Sequence, residues 1–391
     1  MDNAATSFPK PREVLEAMTH YATQLGASAG RGAYSEAIET GKIISLCRQR
    51  LSDLFNGEDP NHFVFTLNCT DALNIAIKGL VYESPRMAMR GLCHAVCTHI
   101  DHNSVLRPLN ALQDAGVVEQ ARLRVDSHGI VDPDDIRRAI RPNTKLIAIT
   151  HASNVTGTLQ PLREIGEIAR EHDIPLVVDA AQSAGHVPID VQADHIDLLA
   201  APGHKGLLGP LGTGFLYIRP GIERRMTTIR EGGTGSVSEE DRQPAFMPDR
   251  FESGSHNAIG IAGLSAGVQW VIDHTVEKLF AHEQDLIRTF IDGVSDIPNL
   301  RYLGPHGVKN RVGVFSVVLG DRSPTDLAAA LEHEFGILTR PGLHCAPLIH
   351  QAMGTCERGG TTRLSFGPFL SKQDVKYATD ALAQIAASVC V

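Results

Sequence analysis

Apolar runs too short for helices recur along the chain, separated by longer stretches with helical spacing. The runs Phe63–Thr66, Ala95–Ile100, Val118–Val125, Leu146–Thr150, Leu176–Asp179, Ile196–Ala200 and Gly214–Ile218 read as strands. Ala72–Val81, Val105–Ala115, Pro133–Ile140 and Leu162–Glu171 carry helical patterns between them. This alternation predicts an α/β fold: a mostly parallel seven-stranded sheet with helices on both faces. Such sheets bind ligands beyond the C-terminal ends of their strands. Thr70, Asn154 and Asp179 fall at or just past predicted strand ends, which places them on one rim.

After residue 255 the pattern changes. One long helical stretch, Ala258 to about Ile291, leads to a strand at Val312–Leu319. A helix at Thr325–Glu334 and a terminal helix at Lys372–Ala387 follow. These read as a second, smaller α+β domain. Residues 15–255 are expected to form the large domain, and residues 256–391 with 1–14 the small one. No Pro/Ser-rich linker, internal repeat or low-complexity tract separates them, so the boundary is expected in or beside the long helix.

Composition narrows the class. The 391 residues are 42% hydrophobic and 21% charged, as in globular proteins. A net charge of −9, without any Lys/Arg block, argues against a nucleic-acid partner. No apolar run approaches transmembrane length, and Met1–Pro9 lacks the basic-then-apolar order of a signal peptide. No membrane association and a cytoplasmic location are therefore expected. Cys47, Cys69, Cys93, Cys97, Cys345, Cys356 and Cys390 are odd in number and irregularly spaced, unlike a disulfide framework. Cys93 and Cys97 lie near His94, His99 and His102, but no second cysteine pair answers them. Buried thiols fit better than a metal site, and no metal is expected.

The candidate chemistry centres on Lys205. It closes the run Asp197-Leu-Leu-Ala-Ala-Pro-Gly-His-Lys205 and opens a glycine-rich stretch to Gly214, with Asp179 upstream at the end of Leu176–Asp179. An acid at one strand end followed by a lysine past the next is a layout suited to pyridoxal phosphate (PLP). The lysine condenses with the aldehyde, and the acid keeps the pyridine nitrogen protonated so that the ring is an electron sink. Thr70 is expected to cap the following helix, whose first N–H groups would face an anion. His102 is placed to stack on the ring, His204 to reach the phosphate, and Gln182 to contact the ring hydroxyl. Thr70, His102 and Gln182 each have an ordinary structural reading when taken alone.

Ordered along the chain stand Asp2-Asn-Ala-Ala-Thr6, Asp101-His-Asn-Ser-Val105, Thr150-His-Ala-Ser-Asn154-Val-Thr-Gly157, Val178-Asp-Ala-Ala-Gln182-Ser, Gly203-His-Lys205-Gly, Arg250-Phe-Glu-Ser-Gly-Ser-His-Asn257, Arg340-Pro-Gly-Leu-His-Cys345-Ala-Pro and Thr362-Arg363-Leu-Ser. With these motifs the chain resembles the fold-type I, class V aminotransferase-like PLP enzymes, and within them the cysteine desulfurase/selenocysteine lyase family. The resemblance runs nearly end to end. It implies Lys205 as the Schiff-base lysine, Asp179 at the pyridine nitrogen and His102 stacked on the ring. It also implies Asn154 and Gln182 on the ring-hydroxyl side, and Thr70, the Asp71 N–H and His204 on the phosphate. Ser255 matches a residue that reaches the phosphate of a neighbouring subunit, which implies a homodimer with shared sites. Arg363, with Arg340 and Asn154 beside it, would bind the substrate carboxylate. Cys345 would be the nucleophile that takes sulfur from cysteine, or selenium from selenocysteine, leaving alanine.

Cys345 decides between chemistries. Attack on a substrate sulfur needs a thiolate near positive charge, and Arg340 and His344 are close in sequence. The short segment between Arg340 and Arg363 resembles the subgroup with an ordered cysteine loop, whose members pass the persulfide to a partner protein. Three departures stand out. Pro202 replaces a phosphate-contacting serine, Leu343 replaces a second histidine, and the strand residues that usually precede Asp2 are missing. Together they suggest an outlying branch with a different sulfur donor. Two other readings remain open. One is a class V aminotransferase, epimerase or β-lyase in which Cys345 is not the nucleophile. The other is a non-catalytic protein on the same fold.

Overall fold

A computed structural model describes residues 1–29, 32–82, 92–237 and 239–388. Its centre is a seven-stranded sheet. In chain order the strands are β1 (Phe63–Thr66), β2 (Cys93–Thr98), β3 (Val118–Leu123), β4 (Thr144–Thr150), β5 (Leu176–Asp179), β6 (Leu198–Pro202) and β7 (Gly214–Ile218). They lie side by side as β1-β7-β6-β5-β4-β2-β3. The pairs β6/β5, β5/β4, β4/β2 and β2/β3 are parallel, and β7 alone runs against both neighbours. All seven predicted strands are present, with ends shifted by up to two residues.

Successive strand residues face opposite sides of a sheet, and β5 follows this rule. Leu176 and Val178 join one core, where the helices Ser35–Phe55, Leu162–Glu171 and Ala258–His274 pack through Leu51, Ile165 and Leu264. Val177 joins the other, under the helices Cys69–Val81 and Asn103–Asp114, through Leu73, Ile77 and Leu109. Both faces are covered, so the central strands are mostly apolar, whereas the edge strand β3 (Val-Glu-Gln-Ala-Arg-Leu) alternates and is only partly buried.

A second sheet holds β8 (Leu300–Tyr302), β9 (Val314–Leu319), β10 (Arg340–Gly342) and β11 (Thr361–Ser365), ordered β10-β11-β9-β8 and antiparallel throughout. It has its own core, where Phe290, Phe315, Leu364 and Leu382 meet. The expected single helix from Ala258 to about Ile291 is two, Ala258–His274 and Val276–Val294, broken at Thr275 with φ +58°. The apolar spacing continues across that one-residue joint, which hid the break. Gly157 ties the two sheets together. It has φ +71°, and a Cβ there would lie 2.6 Å from the Val314 carbonyl oxygen, so the turn after Asn154 lies flat against β9. Among the described residues, no helix is long and apolar enough to cross a membrane.

Candidate active site

The C-terminal ends of β4, β5 and β6 and the starts of two helices surround one cleft of about 520 Å³. Thr70, His102, Asn154, Asp179, Gln182, His204 and Lys205 all line it, and among them are Thr70, Asn154 and Asp179, the three that the sequence placed on one rim. Asp71 follows Thr70 in the helix, and the strand-end loops deliver the rest. Cys69 and Ser104 also line the cleft but went unnoticed. Their signal was adjacency to Thr70 and His102.

Asp179 is buried at the end of β5. Its Oδ1 accepts from the Ala181 N–H at 2.9 Å and from the Cys69 thiol at 3.5 Å, which fixes the carboxylate plane. Burial lowers the Lys205 pKa; the Asp179 charge opposes this, while the Arg363 and Arg340 charges add to it. A buried amine with a lowered pKa is more readily neutral, and the neutral amine is the form that condenses with an aldehyde.

The expected cap is corrected. Asn68, not Thr70, is the N-cap of Cys69–Val81, and its side chain accepts from the Asp71 N–H at 3.0 Å. Both types cap helices, and spacing alone did not choose between them. The Thr70 hydroxyl instead lies 2.8 Å from the Ser104 hydroxyl, which lies 2.9 Å from His102 Nδ1. The Ser104 N–H also donates to Nδ1, at 3.1 Å. Nδ1 is therefore an acceptor, and the neutral ring carries its proton on Nε2. Burial is the main reason that the His102 pKa falls to about 4, so the ring is neutral at pH 7.

Asn154 donates from Nδ2 to the His344 carbonyl at 2.6 Å, while its Oδ1 is buried without a partner. Gln182 Nε2 donates to the Ala4 carbonyl at 2.9 Å. His204 Nδ1 is also buried and unpartnered, and its pKa falls to about 4, chiefly through burial. Orphaned polar atoms of this kind are uncommon in native folds. Here three of them, Thr150 Oγ1, Asn154 Oδ1 and His204 Nδ1, lie on residues that line the cleft. A flat aromatic ligand bearing a phosphate, a hydroxyl and a ring nitrogen fits this donor set.

The second sheet brings the carboxylate-binding candidates. Arg340 and Arg363 are paired in register across β10 and β11. Arg363 is 1% exposed; it donates to the Asp2 carboxylate at 2.8 Å and to the Asn154 carbonyl at 3.2 Å. Cys345 follows β10 in a tight turn, where His344 and Cys345 have φ +51° and +60°. The Asn103 N–H holds the Cys345 carbonyl at 2.9 Å, directly after His102 in the chain. The loop is thus held from both flanks of the cleft, by Asn103 and Asn154, while the Cys345 side remains exposed. Arg340 Nη2 lies 3.5 Å from Cys345 Sγ. The sequence offered His344 as a second cation near this thiol. His344 is instead buried, with Nε2 3.1 Å from the Thr361 hydroxyl, and burial drives its pKa to about 2. Arg340 is the cation in contact with the thiol.

Ser255 does not line this cleft. It sits in an adjoining groove with Thr66, Leu67, Gly212, Arg230 and His256, and Arg230 lies 3.7 Å from Asp71. Pro202 lines the cleft without offering a hydroxyl. Cys93 and Cys97 are buried in β2, and Cys390 falls outside the described residues.

A family model described as Aminotransferase class-V matches residues 1–378. A probable cysteine desulfurase of Methanothermobacter thermautotrophicus is 32% identical over 386 residues, spanning 98% of this chain and 94% of the relative. The apo cysteine desulfurase of Thermococcus onnurineus superposes with a TM-score of 0.91 at 30% identity, covering 99% of this chain and 94% of that one. The cysteine desulfurase CsdA of Escherichia coli, solved in an S-sulfonic acid form, superposes at 0.86 with 25% identity, over 100% and 94%. The chain belongs to the class-V aminotransferase family, a family of PLP-dependent enzymes.

Proposed function

We propose that this protein is a PLP-dependent cysteine desulfurase. It takes sulfur from L-cysteine, or selenium from L-selenocysteine, onto Cys345 and releases L-alanine. The observation that carries this reading is the loop holding Cys345. Two anchors from the cleft walls fix its backbone, and Arg340 touches its sulfur. A thiol built for packing would be buried, as Cys47 and Cys97 are.

PLP, when bound, withdraws electrons from the amino acid's Cα. Lys205 anchors it and then serves as the proton carrier at Cα. Asp179 holds a proton on the ring nitrogen, its carboxylate plane set by Ala181 and Cys69. His102 would lie against the ring face, and Asn154 and Gln182 would hold the hydroxyl edge. Thr70 and His204 would face the phosphate, whereas the Asp71 N–H is already given to the Asn68 side chain and Asp71 does not line the cleft. Arg363 binds the substrate carboxylate with Arg340 alongside. The Cys345 thiolate attacks the substrate sulfur, so an S–S bond forms and the Cβ–S bond breaks. The electron pair of that bond stays with the carbon skeleton, which takes up a proton and leaves as alanine. No outside oxidant or reductant is needed, because the product Cys345–S–SH keeps the oxidised sulfur pair.

Two further parts belong to the proposal. Ser255 completes the phosphate site of a partner subunit in a homodimer. The exposed Cys345 hands its sulfur to an acceptor protein. The reading is tested by incubating the PLP-loaded enzyme with L-cysteine, L-selenocysteine and L-cystine and quantifying alanine. Alanine should form from cysteine or selenocysteine, and Cys345→Ser should stop it. Undiminished alanine release by Cys345→Ser would contradict the reading.

A further inference from the structure

Residues 2–10 link β11 of the second sheet to Gln182 and His204, two residues that line the cleft. Asp2 bridges to Ser365 on β11, the Ser365 N–H donates to the Met1 carbonyl at 2.9 Å, and the Ala4 N–H donates to the Ser365 hydroxyl at 2.8 Å. On the other side, the Ala4 carbonyl accepts from Gln182. The His204 carbonyl accepts from the Thr6 and Ser7 hydroxyls, both at 3.1 Å, and from Lys10 at 2.8 Å. The segment is therefore fixed in place, and Asp2 with it.

Its fixed position gives Asp2 a consequence for ligand affinity. Arg363 is almost wholly buried and is already paired with a carboxylate of this chain. Its Nη1 goes to the Asn154 carbonyl, and Nε has no partner. Arg340 stands beside it in register. Two guanidinium groups and one resident carboxylate leave a single net positive charge, which matches an amino acid with one carboxylate to place. Any incoming carboxylate must share Arg363 with Asp2 and is repelled by it.

We propose that Asp2 is an affinity-setting residue of the amino-acid site: by half-neutralising the Arg363–Arg340 pair, it limits how tightly the site holds an α-carboxylate, including that of the product. This rests on the reading that Arg363 binds the substrate carboxylate. Two effects of losing Asp2 compete. Loss of the contact would let Arg363 swing away and weaken binding. Loss of the charge alone removes a repulsion felt only by carboxylate ligands. Asn keeps the shape and one acceptor oxygen, so Asp2→Asn isolates the second effect.

The test uses the PLP-loaded enzyme and reads equilibrium binding of L-alanine from the cofactor's absorbance, with ethylamine as the probe lacking a carboxylate. Asp2→Asn should tighten L-alanine about tenfold, about 1.4 kcal/mol, and leave ethylamine unchanged within about twofold. Arg363→Lys should weaken L-alanine at least tenfold and spare ethylamine. Unchanged or weaker L-alanine binding in Asp2→Asn, with the Arg363→Lys effect present, overturns the role of Asp2 alone. If Arg363→Lys leaves L-alanine unaffected, the carboxylate assignment falls and the inference falls with it.

Discussion

Single residues in this cleft are set by what holds them from behind. Asp179 has one oxygen committed to Ala181 and Cys69, so its plane does not depend on a ligand. Asp179→Asn keeps the shape and that acceptor but removes the charge. The rate of alanine formation should drop by about 10²-fold or more, as when a preorganised electrostatic partner is lost. The thermal midpoint of the cofactor-free protein should shift little. Near-full activity would remove Asp179 from the pyridine nitrogen. His102 works through the same kind of backing, its tautomer fixed by Ser104. These side chains were legible in the sequence because each sits in a short local motif at a strand end. Asp2 and Arg363 were legible as separate motifs but not as a pair, because they stand 361 positions apart. The role offered to His344 failed for the converse reason: closeness to Cys345 in sequence says nothing about which way a ring points across a tight turn.

At the scale of elements, the phosphate end depends on how one helix begins. The Asn68 side chain caps Cys69–Val81 by accepting the Asp71 N–H. Asn68→Ala should cost about 1 kcal/mol of stability and weaken PLP retention, measured by dialysis against cofactor-free buffer. Full retention would show that the helix start does not need its cap to bind the phosphate. Elements buried on two faces announced themselves as apolar runs, so the interior strands were readable, while the edge strand β3 showed only alternation. The strands β8, β10 and β11 were not. They are three to five residues long, β10 contains Pro341, and β11 reads Thr-Thr-Arg-Leu-Ser. The helices Arg12–His20 and Ser35–Phe55 also went unread. The joint at Thr275 was invisible because neither Gly nor Pro marks it.

The molecule as a whole carries an acid sensitivity in its buried histidines. Burial lowers His102, His151, His204 and His350 to about 4 and His344 to about 2. An unfolded histidine binds its proton near pH 6.5, so between pH 6.5 and 4 the unfolded chain binds more protons than the folded one. Stability is then complete above pH 6.5 and lost as the pH falls. Each fully neutral histidine costs on the order of 2 kcal/mol at pH 5. Asp101 and His186 act in the opposite sense and favour the folded state at low pH: burial raises Asp101 to about 6, and, although burial opposes it, the Glu283 carboxylate raises His186. These are two groups against seven, because burial lowers His94 and His99 as well. The urea midpoint of the cofactor-free protein should fall clearly between pH 7.5 and pH 5.0. A flat or rising midpoint would mean that these rings are not held neutral.

The most direct test of the whole assignment follows the sulfur atom. The PLP-loaded protein is treated with L-cysteine and quenched by alkylation, and its cysteine-containing peptides are weighed. One added sulfur should appear on Cys345 and not on Cys356 or Cys390, and it should disappear in Lys205→Ala, which cannot anchor the cofactor. Alanine released with no added sulfur on Cys345 would contradict the desulfurase assignment.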